Sequence, residues 1–553
     1  MQVGERLAAL IAGGGVNAMF GVPGGQTMPL YGAAAAAGLQ HVLMRDERGA
    51  ACAADAYARL SGRVGFCDAT VGPGVTNLVS GVAEAYASSI PIVAVIADIR
   101  SDQMHLRRRA SVSQAMDQAA LLAPITKWFG RVERPDSLDA VFDQAIRIAT
   151  TGRPGPVVVE IPDDVFGDAM SDAAELRTLG PAEFAYPRFR SAPTTADLER
   201  AVRLLAGAER PLILTGGGVT FSDASEAVSE LAERHQIPVV TTISGKGTIV
   251  ESSPLAAGVT GVFGTRTANS ASLAADLVLV IGCKLGQLTT HGWSLPRRDQ
   301  QVIHIDVDGE EIGRAIPATL GIVADAREAA RCLTAALSES NYTGTNWLVD
   351  LDIPEDDSAA ADGAIQPEAL AGVLSDALRE DDVLVCDASL SSGWGAAHVP
   401  AQRHRSFVAP RGLAGIGWGA GAAIGARMAV EPTRRVVVLA GDGAWGYSLS
   451  EVETATRLGV DITYIILNNS GLGWIKHGED YRGHEEKSLF SDVDFAGVAR
   501  SMGAGGSRVT NLEDFESHLH AALEDPQPHL VDVVTSLEAT PVLSLSKLQR
   551  GSR

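Results

Sequence analysis

The chain lacks most of what would tie it to nucleic acid, a membrane or an oxidising compartment. Among 553 residues, 45 Lys or Arg face 67 Asp or Glu, a formal charge of −22. Such a surface repels polyanions, so neither nucleic acid nor an anionic membrane is an expected partner. Five cysteines (Cys52, Cys67, Cys283, Cys332, Cys386) are scattered without CxxC spacing. Three of them, Cys67, Cys283 and Cys386, sit in apolar runs and read as small buried hydrophobes in a reducing compartment. No apolar run reaches the roughly 18 residues of a membrane span. The opening MQVGERLAALIAGGGV is broken by charges and glycines, unlike a secretory signal. A cytoplasmic protein is expected.

What is present is alternation. Apolar strand-like runs such as VGFCDAT, LVLVIG and RVVVLAG alternate with amphipathic helix-like segments in three blocks. The blocks cover 1–166, 195–340 and 365–537, separated by polar, acid-rich connections and followed by a polar tail, 538–553. This pattern predicts an α/β fold: three doubly wound parallel-sheet domains of one repeated architecture, each sheet covered on both faces.

The third block carries the most specific signal. RVVVLA ends at Gly441-Asp442-Gly443, a helical pattern follows over 444–458, and the next strand, ITYIIL, ends at Asn468-Asn469. In a right-handed βαβ unit both strand ends open on one edge of the sheet, so the acid and the amides converge. One carboxylate, one amide oxygen and a loop carbonyl form a sparse set of hard oxygens. Such a set suits Mg²⁺ carrying a diphosphate, with glycines letting backbone N–H groups approach the phosphates. Taken singly, GDG is a tight turn and NN a loop pair; the spacing joins them.

GDG followed by 24 residues and NN resembles the thiamine-diphosphate signature. Over nearly its whole length the chain resembles the acetolactate synthase-like branch of thiamine-diphosphate enzymes. The resemblance implies a pyrimidine-binding, a central and a diphosphate-binding domain, in that order. It implies that Asp442, Asn469 and the Gly471 carbonyl ligate Mg²⁺. The amides of Ala444 and Trp445, with Gly443, Ser391 or Ser392, would touch the diphosphate. Glu47, in RDERGAACAADAYAR, would exchange a proton with the pyrimidine ring of a coenzyme held by a partner subunit, in a homodimer or homotetramer. Pro73 and Asn77 (VGPGVTN), Gly415 and Leu472 would surround the coenzyme, and Ile416 would prop it into its bent shape. Gln114, preceding Pro124-Ile125-Thr126-Lys127, would orient the substrate, and His291 would relay protons. Gly24 and Gly25 (FGVPGG), with Trp474, Ile475 and Gly478, would line the substrate pocket.

Several positions depart from the family pattern. Asp46 stands where relatives often carry histidine, and Ser113 where synthases have phenylalanine. Trp474, Ile475, Lys476 and Gly478 stand where they have methionine, valine, arginine and tryptophan. The expected activity is decarboxylation of a 2-oxo acid with ligation of the remaining fragment to an acceptor. A non-ligating decarboxylase and a 2-hydroxyacyl-CoA or aldehyde lyase remain alternatives, and FAD or ADP in the central domain is an open expectation. A nucleotide-dependent oxidoreductase would require a full GxGxxG with an acid at the next strand end, which the chain lacks. A non-catalytic paralogue would lack Glu47 or the metal ligands.

Overall fold

The computed structural model describes residues 1–171, 176–354 and 363–545; part of the expected tail, 546–553, lies outside them. The first block forms β1 (Ala18–Val22), β2 (Gln40–Leu43), β3 (Gly65–Ala69), β4 (Ile92–Asp98), β5 (Trp128–Arg131) and β6 (Val157–Pro162). The second forms β7 (Pro211–Thr215), β8 (Val239–Thr241), β9 (Ala256–Val259), β10 (Leu277–Ile281), β11 (Gln301–Asp306) and β12 (Leu320–Val323). The third forms β13 (Val383–Cys386), β14 (Phe407–Val408), β15 (Val436–Gly441), β16 (Ile462–Asn468), β17 (Gly505–Val509) and β18 (His529–Val534).

Each sheet has six parallel strands with helices between them, so the three-sheet α/β fold expected from the alternation is the one observed. The orders are β2-β1-β3-β4-β6-β5, β12-β11-β10-β7-β8-β9 and β14-β13-β15-β16-β18-β17. Renumbered from their own first strands, the first and third sheets share a single order. The central sheet has the order of dinucleotide-binding domains. One architecture is repeated, but with two topologies. In every sheet the order reverses at a switch point, where loops diverge and leave a crevice.

The first and third domains are joined through two helices of small residues. Helix Glu47–Ser61 (ERGAACAADAYARLS) lies along helix Gly419–Ala429 (GAGAAIGARMA). A Cβ on Gly421 would stand 2.6 Å from the Gly49 carbonyl oxygen, and one on Gly425 only 1.9 Å from that of Ala53. Absent side chains therefore let the backbones touch, and the apolar cores of the two domains run together from Ala50 to Ala422 and Val438. Glu84 reinforces the join by accepting the N–H groups of Gly412, Leu413 and Ala414 at 2.9, 2.8 and 2.8 Å.

One expectation is corrected. The helical pattern over 444–458 is two helices, Asp442–Trp445 and Glu451–Leu458, separated by turns. The intervening bend lets the buried Glu451 carboxylate reach the Arg45 N–H at 3.2 Å, across the domain boundary. Glu47 opens helix Glu47–Ser61, past the end of β2 at Leu43. Four cysteines are buried and Cys332 is half-buried, all of them free. No described helix is long and apolar enough to cross a membrane.

Substituting Gly425 with leucine should destabilise the joined domains by about 1–3 kcal/mol, because the neighbour to be displaced is backbone. The readout is a lowered thermal midpoint. Gly372→Ala is the control: it lies in helix Pro367–Ala377 with open space where a Cβ would stand, so its midpoint should hold or rise slightly.

Candidate active site

At the switch point of the third sheet, β13 and β15 end side by side, with β16 next to β15. Asp442 opens the short helix after β15, and Asn469 directly follows β16. The Gly471 N–H donates to Asp442 Oδ2 at 3.0 Å, drawing the two loops together. Burial pushes the Asp442 carboxyl up to about 6, against the lowering effect of the N–H groups around it. Asn469 Oδ1 is buried and no group donates to it. An unsatisfied buried acceptor costs about 1–3 kcal/mol. A hard cation would satisfy that oxygen and the desolvated carboxylate together.

The two asparagines have separate work. Asn468 Nδ2 donates to the Val493 carbonyl and to Asp532 Oδ1, each at 2.9 Å, and so ties β16 to its surroundings. Of the two, Asn469 is the one whose oxygen is buried without a donor. Gly443 admits Leu472 against the backbone, since a Cβ there would lie 2.6 Å from Leu472 Cδ2.

These loops border a cavity of about 480 Å³. Of the residues singled out in the sequence, Ser391, Ile416, Asp442, Gly443, Ala444, Asn469, Gly471, Leu472, Trp474 and Ile475 line it. Ser392, Gly415, Trp445 and Gly478 do not. The Ser391 hydroxyl is turned to backbone, donating to Asp387 and Ala388 carbonyls at 3.1 and 3.0 Å. Ser392 Oγ donates to the Ser389 carbonyl at 2.8 Å. The Trp445 side chain enters the core, its ring 5.0 Å from that of Tyr464.

A second group of residues gathers at the switch point of the first sheet, between β1 and β3. Asp46 caps helix Glu47–Ser61, accepting the Arg48 N–H at 2.7 Å, which gives its short carboxylate a local task. The buried Glu47 carboxylate accepts from Asn77 Nδ2 at 2.9 Å, and a Cβ on Gly74 would stand 3.0 Å from its Oε1. Pro73 begins helix Pro73–Ser88, and Gly72 before it has a left-handed φ of 73°. A Cβ on Gly72 would lie 2.1 Å from the Gln114 carbonyl oxygen, so the two loops abut while the Gln114 side chain stays exposed. Gly24 packs on Thr70, and Gly25 faces open space. No residue of the first domain lines the cavity of the third.

His291 belongs to neither group. Its Nε2 pairs with Asn269 Oδ1 at 3.1 Å, and that oxygen also accepts the Gly261 N–H at 2.8 Å. Burial pushes the imidazole down to about 4, so it is neutral near pH 7. A further cavity of about 420 Å³ lies at the switch point of the central sheet, bordered by Gly216–Gly218, Gly282 and Asp306. The end of β8 there is Thr241-Thr242, with no acid.

Sequence reasoning did not reach several lining residues. Phe263 comes from the central domain, Trp394 from helix Leu390–His398, and Thr535 from just beyond β18. Thr535 had a usable signal, since a parallel neighbour of β16 ends on the same edge. Its hydroxyl is buried without a partner.

Comparison with known proteins agrees with this geometry. Three family models match: the N-terminal TPP binding domain of thiamine pyrophosphate enzymes over 1–121, their central domain over 198–333, and their C-terminal TPP binding domain over 387–533. The probable acetolactate synthase large subunit of Methanocaldococcus jannaschii is 34% identical over 98% of this chain and 93% of its own. The acetolactate synthase large subunit of Parasynechococcus marenigrum is 33% identical over 94% of this chain and 85% of its own. The acetolactate synthase isozyme 2 large subunit of Escherichia coli is 31% identical over 94% and 93%. With three matching domains in order and relatives aligned end to end, the chain belongs to the thiamine pyrophosphate enzymes, in their acetolactate synthase-like branch.

Proposed function

We propose that the protein is a thiamine-diphosphate- and Mg²⁺-dependent carboligase that decarboxylates a 2-oxo acid of pyruvate type and joins the remaining fragment to an acceptor. The observation that carries the metal is the unsatisfied Asn469 oxygen beside the desolvated Asp442 carboxylate. Asp442, Asn469 and the Gly471 carbonyl would hold the ion, and Gly443 and Ala444 would border the diphosphate. Bound thiamine diphosphate supplies a carbon nucleophile able to attack a carbonyl and accept the electron pair released with carbon dioxide. Ile416 would support the coenzyme from its side of the cavity. Glu47 would exchange a proton with a nitrogen of the pyrimidine ring, and Asn77 would orient that carboxylate. Phe263, Trp394 and Trp474 would exclude water from the reacting centre.

Glu47 stands apart from the cavity lined by its own chain, which supports a site completed by a second copy in a homodimer or homotetramer. Apolar side chains left exposed beside the cavity support the same reading: Leu489 near Gly471 and Phe490 near Gly443 are 48% and 49% exposed. The central cavity is of a size and glycine content that suit FAD or ADP, and a flavin spectrum of the purified protein would tell the two apart. The exposed Trp474 and Ile475 keep a second reading open, a non-ligating decarboxylase or a 2-hydroxyacyl-CoA or aldehyde lyase. Mass-spectrometric product analysis after incubation with pyruvate separates these outcomes.

Glu47→Gln should lower kcat by about 10²–10⁴-fold at saturating coenzyme, the usual contribution of a positioned acid–base group. Undiminished turnover would contradict the assigned role. Asp442→Ala should weaken Mg²⁺-dependent coenzyme binding, measured by calorimetry, beyond the 10–100-fold or so lost when only a partner behind a metal ligand is removed. Co-expressing these two inactive variants should restore about a quarter of wild-type activity, because one site of each mixed dimer is intact under two-fold symmetry. No restoration would place both residues in one chain's site.

A further inference from the structure

We infer that the Thr535 hydroxyl is a further contact for the metal end of the coenzyme, hydrogen-bonded to an oxygen of the hydrated Mg²⁺–diphosphate group; this rests on the thiamine-diphosphate reading above. Among the described residues bordering the third domain's cavity, two have a side-chain atom buried without a hydrogen-bond partner, Asn469 Oδ1 and Thr535 Oγ1. The proposed ion accounts for the first. Nothing in the fold accounts for the second.

The two groups are neighbours by construction. β16 and β18 run parallel with Asn468 opposite Val534, so the next step along each chain brings Asn469 beside Thr535. The Thr535 N–H donates to the Asn468 carbonyl at 3.0 Å, which holds the two segments together to that point. Two residues on, Leu537 leans on the same loop, since a Cβ on Gly471 would stand 3.5 Å from Leu537 Cδ1. Thr535 is thus bracketed by contacts with the segment that carries Asn469 and the Gly471 carbonyl. At 4% exposure it is also shut off from bulk water.

Other hydroxyls at the cavity are engaged. Ser391 donates to backbone carbonyls, and Ser536 Oγ accepts the Glu538 N–H at 3.2 Å. A threonine hydroxyl can donate to a phosphate oxygen or accept from a water held by the ion. Three protein oxygens leave an octahedral Mg²⁺ with positions for both phosphate and water. An unpaired buried hydroxyl costs stability in the empty protein, and a hydrogen bond to a charged group more than offsets that cost. An apolar part of the coenzyme or substrate would leave it unpaired.

The test uses Thr535→Val, which keeps the shape and removes the hydroxyl. In the coenzyme-free protein its thermal midpoint should hold or rise by about 1–2 °C, because an unsatisfied group has been deleted. By calorimetry, its Kd for thiamine diphosphate with Mg²⁺ should rise about 10–100-fold, the worth of a hydrogen bond to a charged group. Thr535→Ser should recover most of that affinity. A midpoint lowered in the empty protein would mark the hydroxyl as structural and overturn the assignment. Inorganic diphosphate with Mg²⁺ should lose the same factor as the coenzyme. If Mg²⁺ alone also binds more weakly, the partner is a water on the ion; if Mg²⁺ alone binds as to wild type, it is a phosphate oxygen. A loss confined to thiamine diphosphate would overturn the assignment in favour of the coenzyme's rings, and unchanged affinity for all three probes would overturn it outright. A wild-type protein with no affinity for thiamine diphosphate and Mg²⁺ would overturn the coenzyme reading and this inference together.

Discussion

The desolvated Asp442 carboxylate and the Asn469 oxygen that no group donates to set the terms for the loops around them. Asp442 is desolvated and Asn469 has no donor because β15 and β16, buried on both faces, deliver them to a sheet edge from which water is largely withdrawn. Leaving such groups uncompensated is costly, and the proposed cation would offset both costs. The strain is local, and the surrounding bonds are strong: Asn468 anchors one strand end, and the Gly471 amide fixes the other loop to the acid. Rigid parallel strands thus hold both groups in place, so a cation bound as proposed would spend little on ordering them.

The first and third sheets share a strand order, and their helices meet through glycine and alanine. That contact is possible only where side chains are minimal, which explains the low aromatic and high alanine content of helices Glu47–Ser61 and Gly419–Ala429. Charged groups then close the seam. Glu84 gathers three amides of the loop leading to Ile416, and Glu451 reaches back to Arg45. A loop that borders the third domain's cavity is therefore positioned by a different domain from the one whose sheet it serves.

How much of this was legible in the sequence follows from burial. Interior strands such as Val157–Pro162 and Ile462–Asn468 are buried throughout and read as unbroken apolar runs. The strands that gave no clear signal, β5, β9, β12, β14 and β17, all lie at sheet edges, where half-exposed residues or extreme shortness erase the pattern. β1 was obscured by Gly21, the fourth of its five residues, which admits Asp68 against the backbone. At the site, residues that follow strands were readable because parallel topology sends all strand ends one way. The division of labour between Asn468 and Asn469 was not, since it depends on Asp532 from β18. Nor was the contribution of Phe263, which arrives from another domain.

The abutment of Gly72 against Gln114 has a practical meaning for anyone altering this protein. With no room for a Cβ between Gly72 and the Gln114 carbonyl oxygen, and a backbone angle that L side chains rarely adopt, the two loops behave as a single mechanical piece. The Gln114 side chain is exposed in the single chain and takes no part in holding the two loops together. The length of either loop is constrained, since one inserted residue would part the pair and shift the beginning of the helix that carries Asn77.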